Sequence, residues 1–521
     1  MTGRRDGIYN EVFNLEAETL AMPLFEVSVL FGYFFVLIIL GMYGWHRFFL
    51  VREYTKNKDR AAGPVPVVAD ADLPMVTVQL PFYNEMYVID RLIDSVAAFD
   101  YPKDKLEIQI LDDSTDETTE IAELAARRLD ARGFIVSYLH RTDRTGYKAG
   151  ALDKGLNVAK GQFIAIFDAD FVPDPDFLKR TVPYFLVNDK LAVVQARWGH
   201  LNADYSLLTR IQAVMLDGHF ILEHGGRNRA GCFFNFNGTA GVWRRDAIPD
   251  AGGWQHDTLT EDLDLSYRAQ LKGWQFLFVP QVIAPAELPV EMNSFKSQHH
   301  RWAKGSIQTC KKVLPRLLQA DLPFKVKAEA FFHLTANFNY VLMLALSLLM
   351  FPAMIVRYEM GWSEMLLIDL PAFFLATFSV ANFYAFSQHE AYPTTWKSKL
   401  KYLPAVMAVG IGLTVNNLGA VLEAALGQES EFKRTPKYGV QKSADDWQHK
   451  KYHQSQLVQP LIETGLGLYF TSAVIYALYN GIFGSLPFLM LFQFGYLYLG
   501  LSSIYQQFVA DEAPARAHVN S

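Results

Sequence analysis

The sequence predicts an α/β domain built on a largely parallel sheet, fused to an α-helical transmembrane region. Three observations lead there. Short apolar runs rich in Val, Ile and Phe (MVTVQLP, LEIQILD, FIVSYL, QFIAIFD, LAVVQAR) alternate with helix-patterned stretches such as ETTEIAELAARRLD. Long apolar segments follow beyond residue 327. The composition is 51% hydrophobic yet still 20% charged, as expected when a soluble domain is joined to membrane helices. Alternation of this kind builds parallel sheets, whose ligands sit at the carboxyl ends of the strands.

A chain of 521 residues is too long for one core and allows two or three domains. The net charge of -6, with no basic stripe interleaved with stacking aromatics, argues against nucleic acid as a partner. Cys232 and Cys310 are far apart in the sequence, so neither a disulfide framework nor a zinc site is expected and both read as buried thiols. After an N-terminal segment, 1–23, residues 24–50 are apolar enough to cross a bilayer and lack a small-residue cleavage pattern. Arg52, Lys56, Lys58 and Arg60 follow it, against Arg4 and Arg5 before it, which places the N-terminus outside and the next domain in the cytosol. A polar, then Ala/Pro-rich linker covers 51–73.

The chemistry lies in 74–290. The first strand ends in PFYNE, with Tyr83 and Glu85; the second ends in Asp112 and Asp113 before a Ser/Thr-rich turn that also suits a helix cap. Lys148 stands at a loop-to-helix start, placed for a phosphate or a nucleobase edge or simply for solvent. Asp168 and Asp170 close an apolar strand; residues two apart point to one side, so both carboxylates face one locus and call for a cation. Hard oxygen ligands favour Mg2+ or Mn2+ on a diphosphate. Asn237 and Gly238 lie in a glycine-bearing turn where backbone can approach a ligand, or in an ordinary hairpin. Thr260 is a plausible N-cap, and Glu261, Asp262 and Asp264 would stabilise that helix start whether or not they catalyse.

Residues 291–327 read as interfacial helices. If KSQHHRWAKGSIQ is helical, Gln298, Arg301 and Trp302 share one face, able to hold a charged leaving group and stack a sugar, or to anchor at a membrane surface. Residues 328–509 supply four spans, 328–356, 366–386, 457–479 and 486–504, and an interfacial or re-entrant stretch at 400–427 flanked by basic residues on both sides. That makes five spans in all, with the C-terminus inside and a disordered tail at 510–521. His333 and Asn337 share one intramembrane face, and Gln459 and Glu463 another. They are placed for a water-filled path or for helix-helix hydrogen bonds.

In this order, LDDS, KAG, DAD, TED and QHHRW resemble the processive family-2 glycosyltransferases, the membrane synthases of cellulose, glucomannan, chitin and hyaluronan, over about 74–439. The resemblance implies a GT-A (Rossmann-like) fold binding a nucleotide-sugar donor at Tyr83, Glu85, Asp112, Asp113 and Lys148. It implies Mg2+ or Mn2+ on Asp168 and Asp170, with Asp168 also at the donor, and Asp262 as base beside Glu261. Gln298 and Arg301 would take the leaving group, and Trp302, Asn237 and Gly238 the growing polysaccharide acceptor. ESEFKRTPKYG resembles the gating loop F-x-V-T-x-K through Phe432, Thr435 and Lys437, with Arg434 in place of Val, within a segment at 428–440.

The expected function is an integral protein of a bacterial-type inner or plasma membrane that polymerises sugar from UDP-glucose and passes the β-glycan through the bilayer. GDP-mannose is the alternative donor. A non-processive transferase with a lipid acceptor, and a silent transport or scaffold subunit, are further alternatives; export or accessory subunits are candidate partners.

Overall fold

The computed structural model describes residues 23–361, 374–430, 432, 434–442, 444–452 and 458–519, with side chains to Phe508. The expected N-terminal segment therefore lies almost wholly outside the described residues.

Seven strands form one sheet: β1 Val76–Phe82, β2 Leu106–Asp112, β3 Ile135–His140, β4 Phe163–Ile166, β5 Leu191–His200, β6 Gly241–Arg244 and β7 Gln275–Ala286. Their order is β3-β2-β1-β4-β6-β5-β7. Strands β1 to β4 pair in parallel, β6 runs antiparallel to both β4 and β5, and β5 pairs in parallel with β7. This is the mixed α/β sheet of a GT-A fold. Strands β1 and β2 are buried on both faces, although Thr77, Gln79, Glu107 and Gln109 interrupt their apolar runs.

Their polar positions meet across the ladder. Thr77 faces Glu107 and Gln79 faces Gln109, with hydrogen bonds of 2.6 and 3.0 Å. The Tyr147–Val158 helix covers this face, and it can lie close because residue 155 is glycine: a Cβ there would stand 2.6 Å from the Gln79 amide nitrogen. Two apolar layers sandwich the sheet, one around Val78, Leu80 and Phe167, the other around Leu152, Trp243 and Trp254. Truncating the fully buried Trp243 to Ala would cost about 3–5 kcal/mol.

Among the described residues, four helical segments are long and apolar enough to cross a membrane: Leu24–Lys56, Phe324–Glu359, Val458–Tyr479 and Phe483–Phe508. The first extends six residues past the apolar run that marks it in the sequence. The stretch expected at 400–427 is a bent pair, with helices Leu403–Gly412 and Thr414–Ala425 meeting at a 40° break. The span expected at 366–386 begins outside the described residues; its described part is a π turn, Phe374–Phe378, leading into the helix Ser379–Ala391. Where a disordered tail was expected from 510, the backbone of Leu486–Val519 stays helical, with Pro514 inside it.

Between the two halves runs the 28-residue helix Met292–Gln319. Its Lys296 donates to Glu463 of the Val458–Tyr479 helix at 2.8 Å, and both side chains are fully buried. Asn416 caps the same junction, donating to the Lys296 carbonyl at 2.8 Å and accepting from Gln459 at 3.0 Å. Gln459 and Glu463 thus serve helix-helix contacts.

Candidate active site

The parallel strands deliver their carboxyl ends to one edge of the sheet, where PFYNE, Asp113, Asp168 and Asp170 emerge. Because β6 is antiparallel, it begins where β4 ends, so the turn before it reaches the same edge. That turn is fixed by Gln195, whose side-chain oxygen accepts from the Asn237 backbone at 3.0 Å, and by Thr239, whose hydroxyl accepts from the Asp168 backbone at 2.9 Å. Gly238 has φ 77°, and a Cβ on it would stand 3.1 Å from Asp262 Oδ2 and 3.5 Å from Lys148 Nζ. Glycine is required there for both reasons.

These groups line a cavity of about 170 Å³ that includes Tyr83, Glu85, Asp113, Lys148, Asp168, Asp170, Asn237, Gly238, Glu261 and Asp262. From the other side come Gln298, Arg301 and Trp302, and from the loop after the bent helix pair Phe432, Thr435 and Lys437. The TED helix, Glu261–Leu271, and the QHHRW helix approach closely because residue 305 is glycine; a Cβ there would lie 2.6 Å from the Thr260 side chain. Gln308 locks the approach, accepting from the Leu259 backbone at 2.9 Å.

The site is acidic, buried and cross-neutralised. Lys148 donates to Asp168 and, at 3.0 Å, to the Gly238 carbonyl. Lys437 donates to Asp170 at 2.6 Å and to the Glu287 carbonyl, and Arg434 donates to Glu85 at 3.0 Å. Burial pushes Glu85 up to about 7 against the pull of Arg434. Burial, with the charge of Glu261 added, pushes Asp262 up to about 7; Glu261 is itself raised by burial. Burial also raises Asp168, opposed by Lys148. Asp262 keeps one oxygen on the Leu263 backbone, at 2.8 Å, which fixes the carboxylate at the helix start.

Arg301 differs from the other cations. Burial pulls it below its ordinary value, opposed by the charges of Glu261, Asp168, Asp262 and Asp170, and its Nε is buried without a hydrogen-bond partner among the described residues. Its guanidinium rests 4.7 Å from the Phe432 ring centre, and Phe432 stacks on Tyr147 at 5.9 Å. A buried guanidinium with an open donor suits an anionic ligand. His299, held down to about 4 by burial, packs edge-on against Trp302 at 5.3 Å and orients the indole as a neutral ring.

All the sequence-predicted site residues line this cavity except Asp112. Its carboxylate accepts from the Ser114 backbone at 2.8 Å and from Tyr138 at 2.9 Å, and contacts His140 at 3.1 Å. Neighbouring residues of a strand face opposite sides, and the side Asp112 takes is the one β3 closes off. Asp113 faces the cavity but is gripped by Arg141 through both oxygens, at 2.7 and 2.5 Å.

Sequence reasoning missed Arg141 and Arg144, the latter 3.3 Å above the Tyr83 ring; the basic pair in HRTDRTGYK was the available signal. It also missed Glu287, which accepts from Arg91 and from the Tyr438 backbone, at 3.1 and 2.8 Å, and so seats the loop. A second cavity of about 340 Å³ adjoins the first through Trp198, Asn237, Asp262, Gln298 and Trp302 and reaches His333 and Asn337 on the membrane side.

Carboxylates at the ends of parallel strands, facing a guanidinium and an indole on a helix beside the membrane, define a GT-A glycosyltransferase class of site. Residues 74–305 match the family described as Glycosyltransferase like family 2. Similar proteins include glucomannan 4-beta-mannosyltransferase 1 of Oryza sativa subsp. japonica, 43% identical over 49% of this chain and 50% of that one. Glucomannan 4-beta-mannosyltransferase 2 of Arabidopsis thaliana is 41% identical over 52% of each. The chain spans about half the length of these relatives. A solved mannosyltransferase from Pyrobaculum calidifontis, in complex with GDP-Man and Mn2+, aligns with a TM-score of 0.49 at 20% identity, covering 76% of this chain and 99% of that one.

Proposed function

We propose that the chain is a membrane-embedded, inverting, processive β-mannosyltransferase that draws on a nucleotide-diphosphate mannose, GDP-mannose first, and extends a polysaccharide. One observation carries the glycosyl-transfer reading: a raised carboxylate, Asp262, and a buried guanidinium with an open donor, Arg301, line the same cavity as the strand-end pair Asp168 and Asp170. The sugar is favoured by the plant mannosyltransferases to which the chain is similar. They favour mannose over the UDP-glucose expected first from the sequence, and lend no support to a bacterial membrane.

Asp262 takes the proton of the acceptor hydroxyl as its oxygen bonds to the anomeric carbon and the bond to the diphosphate breaks on the opposite face. Arg301 and Lys148 take up the charge of the departing diphosphate. Asp168 and Asp170 suit Mg2+ or Mn2+: among the described residues no cluster of three or more His, Cys, Asp or Glu forms a protein-only cage, and a cation completed by diphosphate oxygens needs only one or two carboxylates. Such a cation would offset the diphosphate charge. Trp302 lines both cavities, so a sugar stacked on it lies between the base and the membrane-side cavity, which supports retention of the product between additions. Basic residues after the first span favour a cytosolic catalytic domain.

The test is product analysis of the purified chain in nanodiscs with Mg2+ or Mn2+, offering GDP-mannose and UDP-glucose separately, beside Asp262→Asn. Long polymer from GDP-mannose, absent in the variant, is expected. Polymer from UDP-glucose alone would overturn the sugar, a single-sugar product would overturn processivity, and no turnover of either donor would overturn catalysis by this chain alone.

A further inference from the structure

We propose that Asn237 presents its amide oxygen to a hydroxyl of the acceptor's terminal sugar, and that His219 and Glu223 are positioning residues that hold the amide that way round. The inference rests on the glycosyl transfer proposed above.

Asn237 lines both cavities at their junction, beside Asp262, Gln298 and Trp302. The acceptor's end must sit there for Asp262 to reach its hydroxyl. One prong of the amide is occupied: Nδ2 lies 3.0 Å from His219 Nε2. The other prong, Oδ1, is buried and has no hydrogen-bond partner among the described residues. A buried carbonyl oxygen left open carries an uncompensated desolvation cost, and a sugar hydroxyl, a donor of the right size, would satisfy it.

The orientation of the amide follows from its neighbour. His219 Nδ1 lies 2.8 Å from Glu223 Oε2. A carboxylate only accepts, so Nδ1 carries the proton, and in the neutral ring Nε2 is left as an acceptor. The amide must then turn Nδ2 towards the imidazole and Oδ1 away from it. Burial works against the Glu223 charge, but His219 and Arg227 hold that carboxyl below its ordinary value, which keeps it an acceptor.

The local backbone makes this pairing. His219–His224 is a π-helical turn set between the helices Leu207–Gly218 and Gly225–Ala230. Such single turns inside helices are frequent at functional sites.

The pair is also tied to the membrane. Arg227 lies 3.7 Å from Glu223 Oε2 and donates to Glu329 at 2.8 Å. Glu329 in turn contacts His46 of the Leu24–Lys56 helix at 2.7 Å. A chain of polar contacts, buried at Arg227 and Glu329 and half-buried at His219 and Glu223, therefore runs from the first membrane helix to the Asn237 amide.

The test uses the full chain in nanodiscs and a soluble β-linked manno-oligosaccharide primer with GDP-mannose, and, in parallel, a β-linked gluco-oligosaccharide with UDP-glucose. Glu223→Leu frees the ring to carry its proton on Nε2, so the amide reverses and offers a donor where the sugar brings one. Acceptor KM should rise about tenfold, the factor that corresponds to about 1.4 kcal/mol, while donor KM moves far less.

In an Asn237→Asp background both prongs accept, so there is no amide to reverse. Glu223→Leu should then change acceptor KM by less than about twofold, within ordinary additivity. A cost equal in the two backgrounds would mean that Glu223 only supports the fold, and would overturn the inference while leaving the transferase reading intact. If Glu223→Leu does not fold, Asn237→Leu against Asn237→Asp decides: acceptor KM must be clearly higher for Leu, and equal values overturn the inference. No primer elongation by the unmodified chain with either pair would overturn both readings.

Discussion

Lys296 and Glu463 offer a test of how the catalytic half is fastened to the membrane half. Their contact, 2.8 Å between two side chains with no exposed surface, is a buried ion pair. Removing one partner from such a pair costs about 3–5 kcal/mol, chiefly because the other charge is stranded. The structure places both single variants at the lower end. After Glu463→Leu, Lys296 still donates to Ser503 at 3.1 Å; after Lys296→Met, Glu463 still accepts from Gln459 at 3.0 Å. We therefore expect about 3 kcal/mol from either change.

The double variant, Lys296→Met with Glu463→Leu, strands no charge and should recover most of that loss, since replacing both partners of a buried pair by apolar groups is often neutral or stabilising. Thermal unfolding in nanodiscs, followed for the single variants and the double variant, measures the coupling. The reasoning is refuted if the double variant loses as much as the sum of the singles, or if each single costs under about 1 kcal/mol, the range of an exposed pair.

Three further outcomes follow from the site. As the proposed base, Asp262 must be ionised, so kcat/KM should fall as pH drops below about 7 and level off above it; Glu261→Gln removes a charge that raises Asp262 and should move that acid limb to lower pH, read from the pH profile. Arg301→Ala should lower kcat by about 10²–10³-fold, as when a charge-stabilising donor is lost, and Arg301→Lys should not restore it fully, because a point charge lacks the guanidinium plane lying on Phe432. Gly238→Ala crowds Asp262 and Lys148 at a positive φ and should depress turnover with little change in melting temperature if the turn yields locally.

What could be read from the sequence, and what could not, divides along the reach of the interactions. The shared face of Gln298, Arg301 and Trp302 followed from helical spacing, a periodicity of neighbouring residues; Asp168 and Asp170 were assigned to one locus by strand alternation and do line one cavity, although β4 ends at Ile166 and the pair lies in the turn beyond it. Asp112 was misplaced because LDDS does not say which of two adjacent carboxylates turns inward; that was settled by Tyr138 and His140 on a strand more than 20 residues away. Lys148 on Asp168 and Lys437 on Asp170 pair residues 20 and 267 positions apart, beyond any local pattern. The Asn416 and Gln459 contacts at Lys296 show the same limit: polar residues in apolar segments were noticed, but not that they fasten helices together. The π turn at His219–His224 left no mark in composition or spacing.

The helix Met292–Gln319 carries, on one unbroken rod, the residue locked to the membrane helices at Lys296, the guanidinium and indole of the site at Arg301 and Trp302, and the close approach to the TED helix at Gly305. Each residue of an α-helix advances 1.5 Å, so the rise from Lys296 to the indole of Trp302 is set by covalent arithmetic. The rod acts as a gauge block between the apolar helices and the cavity. On the processive reading proposed above, whatever advances a product by one sugar has to move relative to this fixed origin, with the helix as the stator against which each step is measured.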